Sequence, residues 1–332
     1  MRKHWIDIVK GICMLCVYLL HSEAYYKGDS FSVGRMILPF YVNAFFFVSG
    51  YLFFAQMNGG GISALIYRKV QSVIFRLAIP TILFSSLTYF PKTMFHADDC
   101  SIGHYFFHVW GGISYWFTSA LVVAQLVLLL VASFKIKDIW SYAVITAGLF
   151  LLGTSVNSNI IPSDASAYFP WFWKTALVYT FVMTLGGMYH KYEKQVERFM
   201  KYGWGVVILA YLGIVGWGYP IKAIGVGGKC NLAGFVAMCC SVLLVVTLAK
   251  RIVQCRWLEY VGRNSIVFYF FSGVYPAAVG AIAARIISDG NYVVTMMVAL
   301  ISVLLGVITT YVVNRFAPSI LDLRLLNGKQ KA

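Results

Sequence analysis

Apolar runs of membrane-spanning length follow one another along the whole chain, at roughly 6–24, 33–55, 72–91, 113–133, 140–156, 173–189, 203–218, 231–249, 264–287 and 292–314. A helical span takes about 20 apolar residues, so the pattern predicts an all-α polytopic membrane protein with about ten transmembrane helices. With 60% of residues hydrophobic and only 12% charged, no stretch is left for a soluble domain or a disordered tail. Apart from Gly59-Gly60-Gly61, read as a flexible turn, nothing resembles a linker or a repeat. Residues 1–332 are read as a single transmembrane domain.

Twenty-seven Lys and Arg stand against 12 Asp and Glu, a net charge of +15. In a soluble chain that balance would suggest nucleic acid; in a polytopic chain the basic residues report orientation instead, and no nucleic-acid partner is expected. With the N-terminus inside, the cytoplasmic segments hold 19 of the 27, the outer segments hold seven, and Arg76 falls within a span. Both termini are therefore expected in the cytoplasm. Asp7 and Lys10 interrupt the first run where a cleavable signal would be turning apolar, so that segment is read as a retained helix.

Ionisable side chains within spans are costly and mark functional sites. In the first helix these are Asp7, Lys10 and His21. His21 follows Lys10 by three turns plus about 20°, and Asp7 lies about 40° to the other side of His21, so the three share one polar stripe roughly 16 Å long from Lys10 to His21. The bland alternative is an interfacial Asp7–Lys10 ion pair with His21 as an ordinary boundary residue. Ser49 and Gly50 end an aromatic-rich run and permit close helix approach. Arg76 stands about one turn before Pro80, a helix-bending residue, and its guanidinium suits phosphate or carboxylate. His104 and His108 have the i, i+4 spacing of a metal pair, yet no third ligand completes a set, and no metal is expected.

Five segments occur in an informative order. They are Trp5-Ile6-Asp7-Ile8-Val9-Lys10-Gly11-Ile12 running on to His21, Phe45-Phe46-Phe47-Val48-Ser49-Gly50-Tyr51-Leu52, Arg76-Leu77-Ala78-Ile79-Pro80, Trp116-Phe117 with Ala120-Leu121, and Gly262-Arg263-Asn264-Ser265. Together they resemble the acyltransferase-3 family of integral membrane acyltransferases, most closely its fucose 4-O-acetyltransferase-like branch. The resemblance implies a multi-pass enzyme of the bacterial inner membrane. Such an enzyme moves acetyl from cytoplasmic acetyl-CoA to a hydroxyl of a cell-envelope sugar, polysaccharide precursor or lipid-linked glycan, with membrane lipid around it.

In that family a basic residue, commonly Arg, precedes a His in the first span with ten residues between them. The matching pair here is Lys10 and His21. The departure matters because an ammonium cannot make the bidentate contacts of a guanidinium. A second departure is Phe270-Phe271-Ser272 after Asn264-Ser265, where many relatives carry a His. The implied roles are His21 as general base, with Asp7 and Lys10 beside it on the catalytic stripe. Lys10 and Arg76 hold the donor, Arg68 with Lys69 attracts its phosphates, and Trp116 stacks on a sugar. Ser49 and Asn264 complete the expected substrate- and donor-binding set. A competing reading is a solute transporter in which the Asp7, Lys10 and His21 line relays protons or holds a polar solute.

The basic-residue bias sets an expected outcome for reporter fusions. A reporter active only in the cytoplasm should be active after Lys331 and inactive in the 91–112 segment, and reversed signals would invert the fold in the membrane.

Overall fold

The computed structural model describes residues 3–26, 33–57, 62–96, 101–136, 138–159, 170–216, 224–225, 227–287 and 291–322. The Gly59-Gly60-Gly61 turn lies outside them. In chain order the helices are α1 (His4–Tyr25), α2 (Gly34–Ile37), α3 (Asn43–Met57), α4 (Ile62–Val73), α5 (Ile79–His96), α6 (Ile102–Tyr105), α7 (Trp116–Ser133) and α8 (Ile139–Asn159). They continue as α9 (Trp173–Lys191), α10 (Glu193–Gly216), α11 (Leu232–Arg251), α12 (Arg256–Arg263), α13 (Ser265–Phe271), α14 (Val274–Ile286) and α15 (Tyr292–Phe316). No strand occurs among the described residues. The protein is an all-α polytopic membrane protein. Each expected run falls on a helix or a joined pair. Among the described residues, length and apolarity qualify six helical stretches as spans, α4 and α5 counting as one, or seven if α13 and α14, bent by 44°, are one broken span, while α3 is apolar but only 15 residues long.

The core is organised by α9, which lies against α3, α7 and α8. Two of its threonines bond within the helix, Thr180 to Ala176 O and Thr184 to Thr180 O, and Thr146 of α8 donates to Thr184. The Ser49-Gly50 pair was read as permitting close approach, and Gly50 does so. A Cβ on Gly50 would meet Met183 O at 1.8 Å, and one on Gly186 would meet Phe47 O at 1.9 Å. With backbones this near, Phe46 stacks on Tyr179 with centroids 3.7 Å apart, and the aromatic wealth of α3 is spent on packing.

Many polar bonds between elements gather at two ends. At one end Lys3, Tyr51 and Lys250 converge on Glu193, and Lys250 also reaches Glu197 at 2.6 Å. Lys191 pairs with Asp138 there, and Trp140 donates to Tyr192. At the other end Tyr26 donates to Ile287 O, Asn43 to Ile224 O, Trp171 to Trp110 O, and Tyr292 to Glu23. Apart from Tyr51, within the run 33–55, the first group lies in or at the edge of segments assigned to the cytoplasm by the basic-residue count. Apart from Asn43, within the same run, the second lies in or at the edge of segments assigned outside.

The break between α13 and α14 leaves the last carbonyls of α13 without helical partners, a costly condition in an apolar surround. Tyrosines supply them. Tyr18 donates to Phe268 O at 3.0 Å and Tyr115 to Phe270 O at 2.6 Å, while Ser272 N turns back to Tyr269 O. Tyr115→Phe keeps the ring and orphans a buried carbonyl, which costs about 1–3 kcal/mol. The variant should show a lower thermal midpoint in detergent. A change within the scatter of wild type would mean that the break is satisfied some other way.

Candidate active site

A cavity of about 540 Å³ opens at the cytoplasmically assigned end, between α1, α3, α4, α7 and α13. Four basic side chains line it: Lys10, Lys69, Arg76 and Arg263. Ser49, Gln56, Ser72 and Gln125 add neutral polar groups, and Met14, Phe45, Phe117 and Tyr269 make the deeper part apolar. A second cavity of about 310 Å³ shares Lys10 and Leu52 with the first and reaches Lys3, Asp7 and Tyr51. Such a space, cationic at one side and apolar at the other, can take an amphiphilic anion.

Local sequence explains how the cations are aimed. Pro80 lacks an N–H and cannot close the normal helical bond to Arg76; the chain just before it, Ile74–Ala78, winds as a π turn in which Ile79 N bonds Ile74 O. Such turns are frequent at functional sites, and this one carries Arg76. Two turns earlier Lys69 faces the cavity, its ammonium 5.6 Å from the Phe53 ring centre. Neighbouring helix positions point about 100° apart, and Arg68 is exposed outside the cavity lining.

Arg263 arrives by a different device. Helix α12 lies directly on α1: a Cβ on Gly262 would meet Asp7 O at 1.8 Å, and one on Gly11 would meet Leu258 O at 2.3 Å. The residue after Gly262 is therefore held beside the first turns of α1. Arg263 Nε donates to Asp7 Oδ2 at 3.3 Å and Nη2 to Glu259 Oε2 at 2.7 Å. Both carboxylates are buried, with side-chain exposures of 3% and 5%, against 44% for Arg263. His4 Nδ1 also lies 3.2 Å from Glu259 Oε2. Glu259 belongs to the first turn of α12 and Arg263 to the last, so both charges complement the helix dipole as well as each other.

The residues singled out from sequence divide accordingly. Lys10, Ser49 and Arg76 line the large cavity, and Asp7 lines its smaller neighbour while holding Arg263. Trp116 packs on Phe117, Phe172 and Tyr179 and is not part of the lining. Asn264 donates to Tyr260 O and accepts from Asn314, a bond pattern that ends α12 and ties it to α15. His21 is half-buried at the far end of α1, its ring stacked with Tyr25 at 6.1 Å. The buried side chains of Met14, Val17 and Tyr18 stand between Lys10 and His21. This interruption speaks against one continuous relay of polar groups.

A family model described as an acyltransferase domain matches residues 3–315. The chain belongs to the acyltransferase-3 family. No curated protein and no solved structure matches it. The match covers nearly all of this acyltransferase-3 chain, every helix lining the cavity included, and stops before the turn that carries Asp322. It makes the protein a membrane acyltransferase, with an acyl donor and an acceptor as its substrates.

Sequence reasoning gave Lys69, with Arg68, to attracting the donor phosphates, left Arg263 within a motif without a role of its own, and passed over Gln56, Gln125 and Asp322. Gln125 had a usable signal, since it interrupts the apolar run of α7. Arg263 stood inside a recognised motif, but its partner Asp7 is 256 positions away. Removing Arg263 takes the guanidinium from two buried carboxylates, and removing Asp7 leaves the half-exposed Arg263 with Glu259. Asp7→Ala and Arg263→Met should each lower the thermal midpoint in detergent, while the double variant loses clearly less than the sum, with a coupling of about 1–3 kcal/mol. Additive losses would mean the two residues act separately.

Proposed function

We propose that this acyltransferase moves acetyl from cytoplasmic acetyl-CoA to a hydroxyl of a cell-envelope sugar or polysaccharide precursor, in a bacterial inner membrane. The observation that carries the reading is the cluster of Lys10, Lys69, Arg76 and Arg263 around one cavity, at the end where the basic segments gather. CoA carries several phosphate charges on its nucleotide end and an apolar-compatible arm that ends in the thioester. A cavity cationic at one side and lined deeper by Met14, Phe45, Phe117 and Tyr269 suits both parts.

His21 is the group proposed to take the proton. A neutral imidazole accepts a proton readily. As the acceptor hydroxyl loses its proton to His21, its oxygen attacks the thioester carbonyl, the carbon–sulfur bond breaks, and the CoA sulfur leaves with a proton returned from the imidazolium. The separation of Lys10 from His21 along α1, about 16 Å, gives the two substrates opposite sides of the protein: donor phosphates at the basic end, acceptor at the other. Lys10 contributes charge to the donor. Asp7 acts through Arg263, which it holds toward the same cavity.

Radiolabelled acetyl-CoA, purified protein in detergent and an envelope glycan fraction make the test. Wild type should label the glycan. His21→Ala should lower transfer by about 10²–10⁴-fold, the span of general-base contributions, with normal abundance in the membrane. Lys10→Met should raise the Michaelis constant for acetyl-CoA more than it lowers turnover, and Lys10→Arg should keep activity. Wild-type transfer by His21→Ala would remove the general-base role, and solute uptake in liposomes without any acetyl transfer would replace the enzyme reading by the transporter.

A further inference from the structure

The chain beyond the family match takes part in the cavity. Helix α15 ends at Phe316, a 3₁₀ turn over Pro318–Ile320 follows, and the next two residues, Leu321 and Asp322, line the space that holds the four basic side chains. Asp322 Oδ2 accepts from Arg76 Nε at 2.7 Å. The cavity therefore already contains a carboxylate on one of its cations. An incoming phosphate is a ligand of the same kind, with more acceptor oxygens and more charge.

We propose that Asp322 is an internal occupant of the anion site on Arg76, which the phosphate of the donor displaces, so that this residue sets donor affinity. That the phosphate belongs to CoA rests on the function proposed above; the anion site does not. Two features make the carboxylate a displaceable partner. Asp322 is buried, with its side chain 12% exposed, but the Arg76 side chain is 51% exposed, so solvent reaches the pair from the guanidinium side and weakens it there. The contrast is Arg263 in the same cavity, whose two carboxylates are almost wholly buried and belong to α1 and α12. Those are fixed by helix packing on both sides. Asp322 hangs from a single short turn at the end of α15.

Displacement and support have opposite signs, which makes the proposal testable. If Asp322 competes with the ligand, the apparent dissociation constant equals the intrinsic one divided by the fraction of molecules in which Arg76 is free of Asp322. If instead it holds Arg76 in position for the ligand, removing it weakens binding. Calorimetric titration of the full-length protein in detergent with CoA, and separately with pyrophosphate, distinguishes these cases. Asp322→Asn should tighten both probes by about three- to tenfold, a range set by the small net energy of a partly exposed pair. Asp322→Ser, which also removes the bulk, should tighten them likewise, and Asp322→Glu should stay near wild type. In an Arg76→Gln background the Asn substitution should have no further effect.

Unchanged or weakened binding of both probes by Asp322→Asn, in protein with a normal thermal midpoint, would overturn the proposal, as would failure of both probes to bind any form. Should the Asn variant unfold, the Ser variant decides by the same criteria. Tightening of pyrophosphate without any binding of CoA would leave the Asp322 assignment standing and remove CoA as the donor.

Discussion

The contact on which the site depends is the backbone-to-backbone approach of α1 and α12. Gly11 and Gly262 lie where a side chain would collide with a main-chain oxygen of the other helix. In lipid no hydrophobic force draws two helices together, so close packing over small residues supplies the attraction. That approach brings Asp7 and Glu259 to either side of Arg263. Two buried carboxylates around one guanidinium tolerate no loose fit, because each departure leaves charge unpaired in a weakly polar surround. Rigidity of the helix pair and placement of the cation are the same fact.

A similar economy governs the rest of the bundle. Gly50 and Gly186 set the α3–α9 distance, and the aromatic stack of Phe46 on Tyr179 follows from it. Where helix continuity is lost, at Pro80 and after Phe271, the freed backbone groups are taken up by a π turn or by tyrosine hydroxyls. Polar groups are thus spent on main-chain repair at these breaks or on bonds that tie one element to another.

The apolar runs announced the class of fold, and the bias of basic residues announced which segments would meet at each end. Both signals are local and additive, so a single sequence carries them. Lys10, Ser49 and Arg76 were also legible, because polarity in an apolar stretch or a nearby proline marks a residue without reference to its partners. What could not be read was pairing. Arg68 and Lys69 are adjacent in the chain, and only the rotation of α4 decides which one turns inward. Asp7 looked like a member of the catalytic stripe, yet its bond to Arg263 depends on a helix encountered much later in the chain. Asp322 stands beyond the matching family region, in a turn with no motif of its own.

Tyr18 joins two parts that would otherwise be independent. It belongs to α1, one turn beyond Met14 of the cavity, and its hydroxyl is bonded to Phe268 O at the broken end of α13, a helix that itself lines the cavity through Ser265, Ile266 and Tyr269. The inner wall of the cavity is in this way hung from a joint and not from a continuous rod. Any shift that widens the wall toward His21 either breaks that hydrogen bond or swings the joint with it, so the depth of the cavity and the bend of the span are mechanically one part.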